Sequence, residues 1–523
     1  MRSCGNVGSR VQLNHTYRCL PLRTSFADRH IILRIHCGGG KKLAINMVYL
    51  LETSPVSTET RVSSSDCLAN ESLIDDRPHI VFVTGALVSK SFQFEAARRL
   101  GLCVIVIDGA SSSGAELQKT GEIDLFVPLE LSLDVDLAVV QIVDSLEFLN
   151  RNIVGVVTFM EMAVLLASKV ASSLCLPGLC PHAVAIARDK NRMREAMRRV
   201  DLASVASFCI SREEEIVEAG KHVGFPAVLK PIIGADSLGV KRVNSMEELE
   251  KAFDEGVKVM HSLCITSGFL SAPSTVVGSL VESKPILPVE FLLEEYLDGP
   301  EVDIDVLLHN GDCVYSAVSD NGETVEPYFT ETYGILPSLL PEKDQEEVIK
   351  LSIDSVVKGL GLSTGLFHIE GKLTSRGPRL IEINCRLGGG PICEMHKRVA
   401  GIDLAEQQIR IAVGLAPSIE LERTKKNKCF AYMTTNAVGS GTIGSDLGFL
   451  SKYKDDVSRL MCRVKPGDCV MGPEDGQPSW LVEIWMESDR QSSSPRSLVE
   501  RIVSVSDEIA MEFQRNYECS GKE

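Results

Sequence analysis

Residues 365–384, GLFHIEGKLTSRGPRLIEIN, are two apolar runs separated by a polar stretch, Thr374 to Pro378, that contains Gly377 and Pro378. Such punctuation between apolar runs predicts a β-hairpin. With Thr374 to Pro378 as the loop, Leu373 pairs with Arg379, and the register carries Glu370 opposite Glu382. Few features constrain a fold more, because like charges directly opposed in a hairpin destabilise it. Glu382, Asn384 and Arg386 take alternate positions of the run that follows, and alternate side chains on a strand share a face. Two carboxylates and an amide oxygen suit a hard cation such as Mg²⁺, which takes few protein ligands and completes its shell with water and phosphate oxygens. A solvated polar face with the register slipped by one residue would instead separate the pair. The hairpin by itself leaves both readings open.

The chain has 523 residues, room for roughly two to four domains. A net charge of −17 excludes nucleic acid and an anionic membrane as main partners. Sixteen cysteines without a C-x-x-C pair argue against a zinc ribbon or a disulfide scaffold and for buried thiols in a reducing compartment, the cytoplasm. No apolar run approaches the ~20 residues of a membrane helix. The first 50 residues differ from the rest, with eight Lys or Arg against one acid, Asp28. An organelle transit peptide, an unstructured extension and a mis-assigned start all fit that composition. Thr53 to Ser72 is Ser/Thr-rich and reads as a linker.

Globular sequence begins at HIVFVTGALVSKSFQFEAARRLGLCVIVID, a strand, a Gly/Ser turn, a helix and a second strand. IVGVVTF followed by MEMAVLLASKVASSL repeats the pattern, predicting an open parallel sheet without the G-x-G-x-x-G fingerprint. Glu161 stands at that second strand-to-helix junction, where open sheets place ligands and where a helix N-terminus also favours an acid. Next, Asp189 caps a helix whose first turn holds Lys190, a position disfavoured for a cation unless an anion lies nearby. Lys230 ends the strand AVLK, and Gly234 to Gly239, including Ser237, form a flexible turn able to close over phosphates with its N–H groups. A polar connection runs from Val277 to Pro288. Then VEFLLEEYLDGPEVDIDVLL predicts a strand, a turn at Asp298 to Pro300 and an alternating strand. Glu294, Glu295 and Glu301 there are either exposed strand acids or, with the backbone to Leu297, an adenine and ribose site. SDNGETVEPYFTETYGILPSLLP reads as an irregular polar loop, and EKDQEEVIKLSIDSVVKGLGL as an amphipathic helix ended by Gly361.

In order and spacing these pieces resemble the ATP-grasp superfamily over about Pro78 to Ser488. The resemblance implies an α/β and α+β architecture: an N-terminal extension or linker, disordered, over 1–76; an open α/β domain over 77–186; a two-lobed ATP clamp over 187–425; and a small β-rich closing domain over 426–523. It implies that Lys190 and Lys230 hold phosphates under the Gly234–Gly239 loop. Glu294, Glu295 and the Leu297 backbone would hold adenine, and Glu301 the ribose. Glu370, Glu382 and Asn384 would bind two Mg²⁺ or Mn²⁺ ions, and Arg386 the transferred phosphate. It tips the hairpin's two readings toward a metal site. Within the superfamily, SDNGETVEPYFTETYGILPSLLP and the hairpin are similar to carnosine synthase and bacterial amino-acid ligases, which places Glu331 at the substrate amino group. Cys385 stands where that family usually has Pro, and GPICEMHK departs from the vertebrate pattern, which bears on the substrate pair and not on the ATP chemistry.

The implied reaction joins two small amino acids with ATP through an acyl phosphate, with β-alanine activated and histidine as amine in the carnosine-synthase case. Its partners are small-molecule amino acids, with no nucleic acid or membrane and a homo-oligomeric assembly. A carboxylase acting on bicarbonate or another small carboxylate, and an ATP-binding regulator without catalysis, are the alternatives. The former would use a biotin carrier, and no Met-Lys-Met occurs in the chain. The latter would not need all three metal ligands and both lysines.

Overall fold

The structure, a computed structural model, describes residues 31–36, 42–47, 76–271, 286–419, 428–490 and 494–518. The expected linker from Thr53 to Ser72, and the connection from Val277 as far as residue 285, lie outside them. Within the segment expected to be an unstructured extension, Ile31–His36 pairs antiparallel with Lys42–Met47. These Ile- and Leu-rich runs flank three glycines in the sequence. Among the described residues no helix is long and apolar enough to cross a membrane.

The chain from Leu73 onward forms a separate compact unit. Its first strands, β1 (His79–Val83), β2 (Cys103–Asp108), β3 (Leu125–Pro128) and β4 (Ile153–Val157), make the expected parallel sheet in the order β3-β2-β1-β4. β1 and β2 are buried along their whole length, as strands covered on both faces must be. Ile80, Phe82, Val104 and Val106 meet Phe94 and Ala97 of the Ser91–Arg99 helix on one side. Val81, Val83, Ile105 and Ile107 meet Ile142 and Val170 on the other.

A second, antiparallel sheet holds β5 (Ser207–Ile210), β6 (Ala227–Pro231), β7 (Lys241–Val243) and β8 (Phe291–Glu295) in the order β5-β8-β6-β7. Leu249 and Phe253 of the Met246–Ser262 helix cover Leu229, Phe291 and Leu293 on its inner face.

The third sheet has eight strands: β9 (Glu301–His309), β10 (Asp312–Asn321), β11 (Tyr333–Leu336), β12 (Gly365–Thr374), β13 (Gly377–Asn384), β14 (Lys428–Asn436), β15 (Arg459–Cys462) and β16 (Trp480–Asp489). Their order is β13-β12-β9-β10-β11-β14-β16-β15. Two expectations change here. Part of the supposed irregular loop is strand, since Asn321 ends β10 and Tyr333–Leu336 is β11, too short to display an alternation. The tail from 426 also does not build its long strands apart, because β14 pairs with β11 and continues the clamp's own sheet. The helix expected from Ser497 runs over Pro495–Arg515 and packs Ile502, Ile509 and Phe513 on this extension. The Glu342–Asp354 helix is followed by a wider turn over Ser355–Gly359, and Gly361 then takes a left-handed φ of 70°.

Strand alternation divides the sheet chemically. Val302, Ile304, Val306, Phe367, Ile369 and Ile383 face Met193, Val348 and Leu351 in an apolar core. The intervening residues, Glu301, Asp303, Asp305, His368, Glu370 and Glu382, therefore share the opposite face. The turn at Asp298 to Pro300 feeds β9 into this sheet under close constraint. Gly299 has φ 82°, and a Cβ there would stand 2.0 Å from the Leu373 carbonyl oxygen. Gly299→Ala is expected to lower the thermal midpoint, through about 1–2 kcal/mol of left-handed strain and the backbone clash on top of it. An unchanged midpoint would mean that the turn is not held as described.

Candidate active site

The hairpin places its two acids together by an indirect route. Near the turn Leu373 pairs with Pro378 and Thr374 with Gly377, so the loop is shorter than expected and Leu373 does not face Arg379. A bulge between Glu370 and Gly371 then leaves Ile381 without a cross-strand partner, and beyond it Glu370 lies opposite Glu382 and His368 opposite Asn384. The expected loop was too long by one register step, and the bulge restores the pair. Across the next strand Asp303 lies opposite Glu370 and Asp305 opposite His368. Glu382, Glu370 and Asp303 thus form one row on three neighbouring strands.

Lys190 answers this row from the first turn of the Lys190–Arg199 helix, where Asp189 caps Arg192 N–H as expected. Its Nζ lies 2.6 Å from Glu382 Oε2. Burial opposes the charge on both groups, but the pair outweighs it, raising the lysine pKa and lowering that of Glu382. Glu370 has no such cation. Burial first, then Glu382 and Asp303, drive its pKa well above the carboxylate range.

Lys230 and Arg194 share one buried acid. Arg194 Nε and Nη2 donate to the two Glu294 oxygens at 2.5 and 3.2 Å, and Lys230 Nζ pairs with the same carboxylate. Burial would raise the Glu294 pKa, but the two cations hold it at about 2. Lys230 is lowered, by burial and by Arg194 beside it. One net positive charge is left for an anion from the cleft. The expected adenine role therefore changes for the Glu294 side chain, which is committed to these cations.

Lys190, Lys230, Glu294, Glu370 and Glu382 line one cleft of about 1000 Å³, part of it open to solvent. Its roof is the turn after β6, where Gly234 to Leu238 line the space, Asp236 and Ser237 take positive φ, and Gly239 instead packs on Pro231. Ser237 Oγ donates to the Phe329 carbonyl at 3.1 Å, and Gln477 Nε2 to the Asp236 carbonyl at 3.1 Å, so the turn is fastened down. Glu295 and Leu297 line the cleft too, with Glu295 Oε2 2.7 Å from Arg376 Nη2 and the Leu297 carbonyl 3.5 Å from Lys372 Nζ. Glu301 has Lys372 Nζ at 3.8 Å, and burial first pushes its pKa up to about 7. Glu331 lines the cleft while keeping contact with water. Crowding by the protein and then Asp303, Asp236 and Glu301 raise its pKa.

Arg386 does not line this cleft. Its Nε lies 2.8 Å from Glu161 Oε2, and Arg188 Nε stands 3.5 Å from the other oxygen, Oε1, so the acid at the end of the N-terminal sheet belongs to the margin of the site. Cys385 is buried and its thiol pKa raised by burial. The sequence reading missed Arg194, Asp303 and a buried polar chain. Asp305 accepts from His368 Nδ1 at 3.0 Å and from His396 Nε2 at 2.7 Å, and Tyr315 meets His396 Nδ1 at 2.8 Å. Burial lowers the His368 pKa, but Asp305 and Asp303 override it to about 10. A Cβ at Gly388 would stand 2.7 Å from His368 Nδ1, which accounts for one of the three glycines after Arg386. Alternation of Glu301, Asp303 and Asp305, and of His368 with Glu370, was the available signal.

Comparison with known proteins supports the fold. The ATP-grasp domain model matches residues 223–394, and the ATP-grasp N-terminal domain model residues 94–178. The fold matches the L-amino acid ligase from Bacillus licheniformis at TM-score 0.65 and 22% identity, over 83% of this chain and 98% of that one. The chain thus carries ATP-grasp domains within an ATP-grasp fold. It is 28% identical to carnosine synthase 1 of Mus musculus over 355 residues, 66% of this chain but 41% of the mouse protein. It is likewise 28% identical to alanine–anticapsin ligase of Bacillus subtilis (strain 168) over 260 residues, 48% of this chain and 52% of that protein. It thus spans about two fifths of the length of the mouse relative and half that of the bacterial one.

ATP-grasp enzymes use ATP and divalent metal ions such as Mg²⁺, and the donors here fit such an ion. The Asn384 amide can take two orientations, of which the first satisfies its hydrogen bonds without a metal. In one, Nδ2 donates to Glu382 Oε1 at 3.0 Å and Glu161 Oε2 at 3.1 Å; in the other, Nδ2 reaches Glu370 Oε1 at 3.5 Å and the amide oxygen faces those two carboxylates. The second leaves the amide oxygen facing the Glu382 and Glu161 carboxylates, an arrangement that a hard cation satisfies. A group whose folded pKa exceeds its unfolded one loses stability for the native state as pH rises between the two values. Glu370→Gln is therefore expected to raise the thermal midpoint in EDTA at about pH 8, with the gain vanishing toward about pH 4. Mg²⁺ with ATP should then raise the midpoint of the parent and not of the variant. A variant less stable than the parent at high pH, or one stabilised equally by Mg²⁺ with ATP, would contradict the assignment.

Proposed function

We propose that this chain is an ATP-dependent carboxylate–amine ligase that joins two amino acids through an acyl phosphate. The observation that carries the reading is the opposed Glu370 and Glu382 in one cleft with Lys190 and Lys230. Glu370, Glu382 and Asn384 would hold the divalent ions, which when bound neutralise the triphosphate and orient its γ-phosphate. Lys230 carries the unbalanced charge of its triad toward the phosphates, and Lys190 bridges them to Glu382. The carboxylate of one substrate attacks the γ-phosphorus and ADP leaves. The amine of the second attacks the acyl carbon, phosphate departs, and the nitrogen loses a proton. Positioning and charge supply most of the barrier reduction. The fastened Gly234–Gly239 turn keeps water from the acyl phosphate. Arg386 turns toward this phosphate by exchanging Glu161 for it.

Glu331, open to the cleft and among other acids, is suited to the ammonium of the activated amino acid. The relatives support an amino-acid pair, and we take the carnosine-synthase pair, β-alanine and L-histidine, as its first candidate. Thiols such as those of Cys385, Cys393 and Cys429, buried in the fold, support a reducing compartment. ADP release measured over a matrix of amino-acid pairs, with products identified by mass, is expected to single out one dipeptide-forming pair. ADP release with bicarbonate alone, or with no acceptor amine, would contradict the ligase. Glu331→Gln is expected to raise KM for the phosphorylated amino acid roughly 10- to 100-fold, as for a lost charge-assisted hydrogen bond, and to leave KM for ATP unchanged. Equal KM values in parent and variant would remove Glu331 from the substrate site.

A further inference from the structure

Arg194 is 2% exposed, and its guanidinium meets both walls of the cleft. On one side it makes the fork to Glu294, which also holds Lys230. On the other, Nη2 donates to the Ile381 carbonyl at 3.0 Å. Ile381 is the residue left without a partner by the β12–β13 bulge. The register at the turn and the register that opposes Glu370 to Glu382 differ by one step, and this bulge absorbs the difference. A bulge takes backbone groups out of the ladder, and a half-buried carbonyl outside the ladder is held in place by another donor. Arg194 supplies it from a helix that also carries Lys190. Its neighbours Arg198 and Arg199 on that helix are exposed and take no part.

We propose that Arg194 is a positioning residue with two separable ties. Through Glu294 it sets the phosphate lysine Lys230, and through the Ile381 carbonyl it pins the bulge that brings the two metal carboxylates face to face. The inference rests on the ligase reading only in that the cleft binds ATP with Mg²⁺. A planar guanidinium presents separate nitrogens to two acceptors at fixed angles, whereas an ammonium directs its donors from a single nitrogen and does not span both walls.

The test is Arg194→Lys, which keeps the charge beside Glu294 and leaves the Ile381 carbonyl without its donor. The Mg²⁺ half-saturation at saturating ATP is expected to rise roughly tenfold, the loss of one hydrogen bond to a charged donor, with kcat falling and KM for ATP changing less. Backbone amides of residues 379–384 should exchange hydrogen faster, a readout that needs no turnover. Glu294→Gln should give the opposite split, weaker ATP binding with Mg²⁺ half-saturation within about twofold of the parent. A folded Arg194→Lys with the parent's Mg²⁺ half-saturation and exchange would overturn the proposal, whatever its thermal midpoint. If that variant does not fold, Glu294→Gln decides alone, and a rise in Mg²⁺ half-saturation alongside the loss of ATP affinity overturns it. A parent that bound no ATP with Mg²⁺ would instead remove the ligase reading, and the exchange measurement would still judge Arg194.

Discussion

Two carboxylates held face to face on adjacent strands are the constraint around which this molecule is arranged. Glu370 and Glu382 repel one another, and only one of them has a lysine. The uncompensated member is suited to a cation that would arrive with a ligand. That requirement accounts for the bulge, which trades a regular ladder for the register that opposes the pair. It also accounts for the helix beginning at Lys190, whose first turn sets a cation against the macrodipole because Glu382 lies there to receive it. The apolar faces of β9, β12 and β13 supply the stability that permits such a face, with Ile304, Phe367, Ile369 and Ile383 fully enclosed behind it.

Charge is balanced across the cleft rather than within each wall. The wall of Lys230, Arg194 and Glu294 carries one positive charge in excess, and the facing wall sets Glu382 with its lysine beside the crowded acids Glu370 and Asp303. A magnesium nucleotide, anionic at its phosphates and cationic at its metal, complements both. Buried unbalanced charge costs stability unless it is paired. The binding of a single ligand between the walls would therefore improve both at once.

How far the sequence alone discloses this depends on what each residue needs from its neighbours. The parallel N-terminal sheet was legible because β1 and β2 are continuous apolar runs, and the hairpin because Gly377 and Pro378 punctuate it. The opposition of Glu370 and Glu382 was legible although the loop length was not, since the error at the turn and the bulge cancel. Roles that depend on a distant partner were hidden. Glu294 reads as a strand acid until Arg194, far away in sequence, is placed beside it. β11 escaped notice because four residues show no period, and the tail looked separate because pairing of β14 with β11 is written in neither strand. Asp303 and Asp305 stood in plain alternation with Glu301, but only the sheet order puts them beside Glu370 and His368.

The central claim is that the Glu370–Glu382 row seats a divalent ion together with the nucleotide. Crystals grown with Mn²⁺ and a non-hydrolysable ATP analogue test it directly through anomalous scattering. The account predicts a manganese peak between the carboxylates of Glu370 and Glu382, with the Asn384 amide oxygen turned toward it and the phosphates between it and Lys230. Nucleotide bound in the cleft with no manganese on those carboxylates would contradict it.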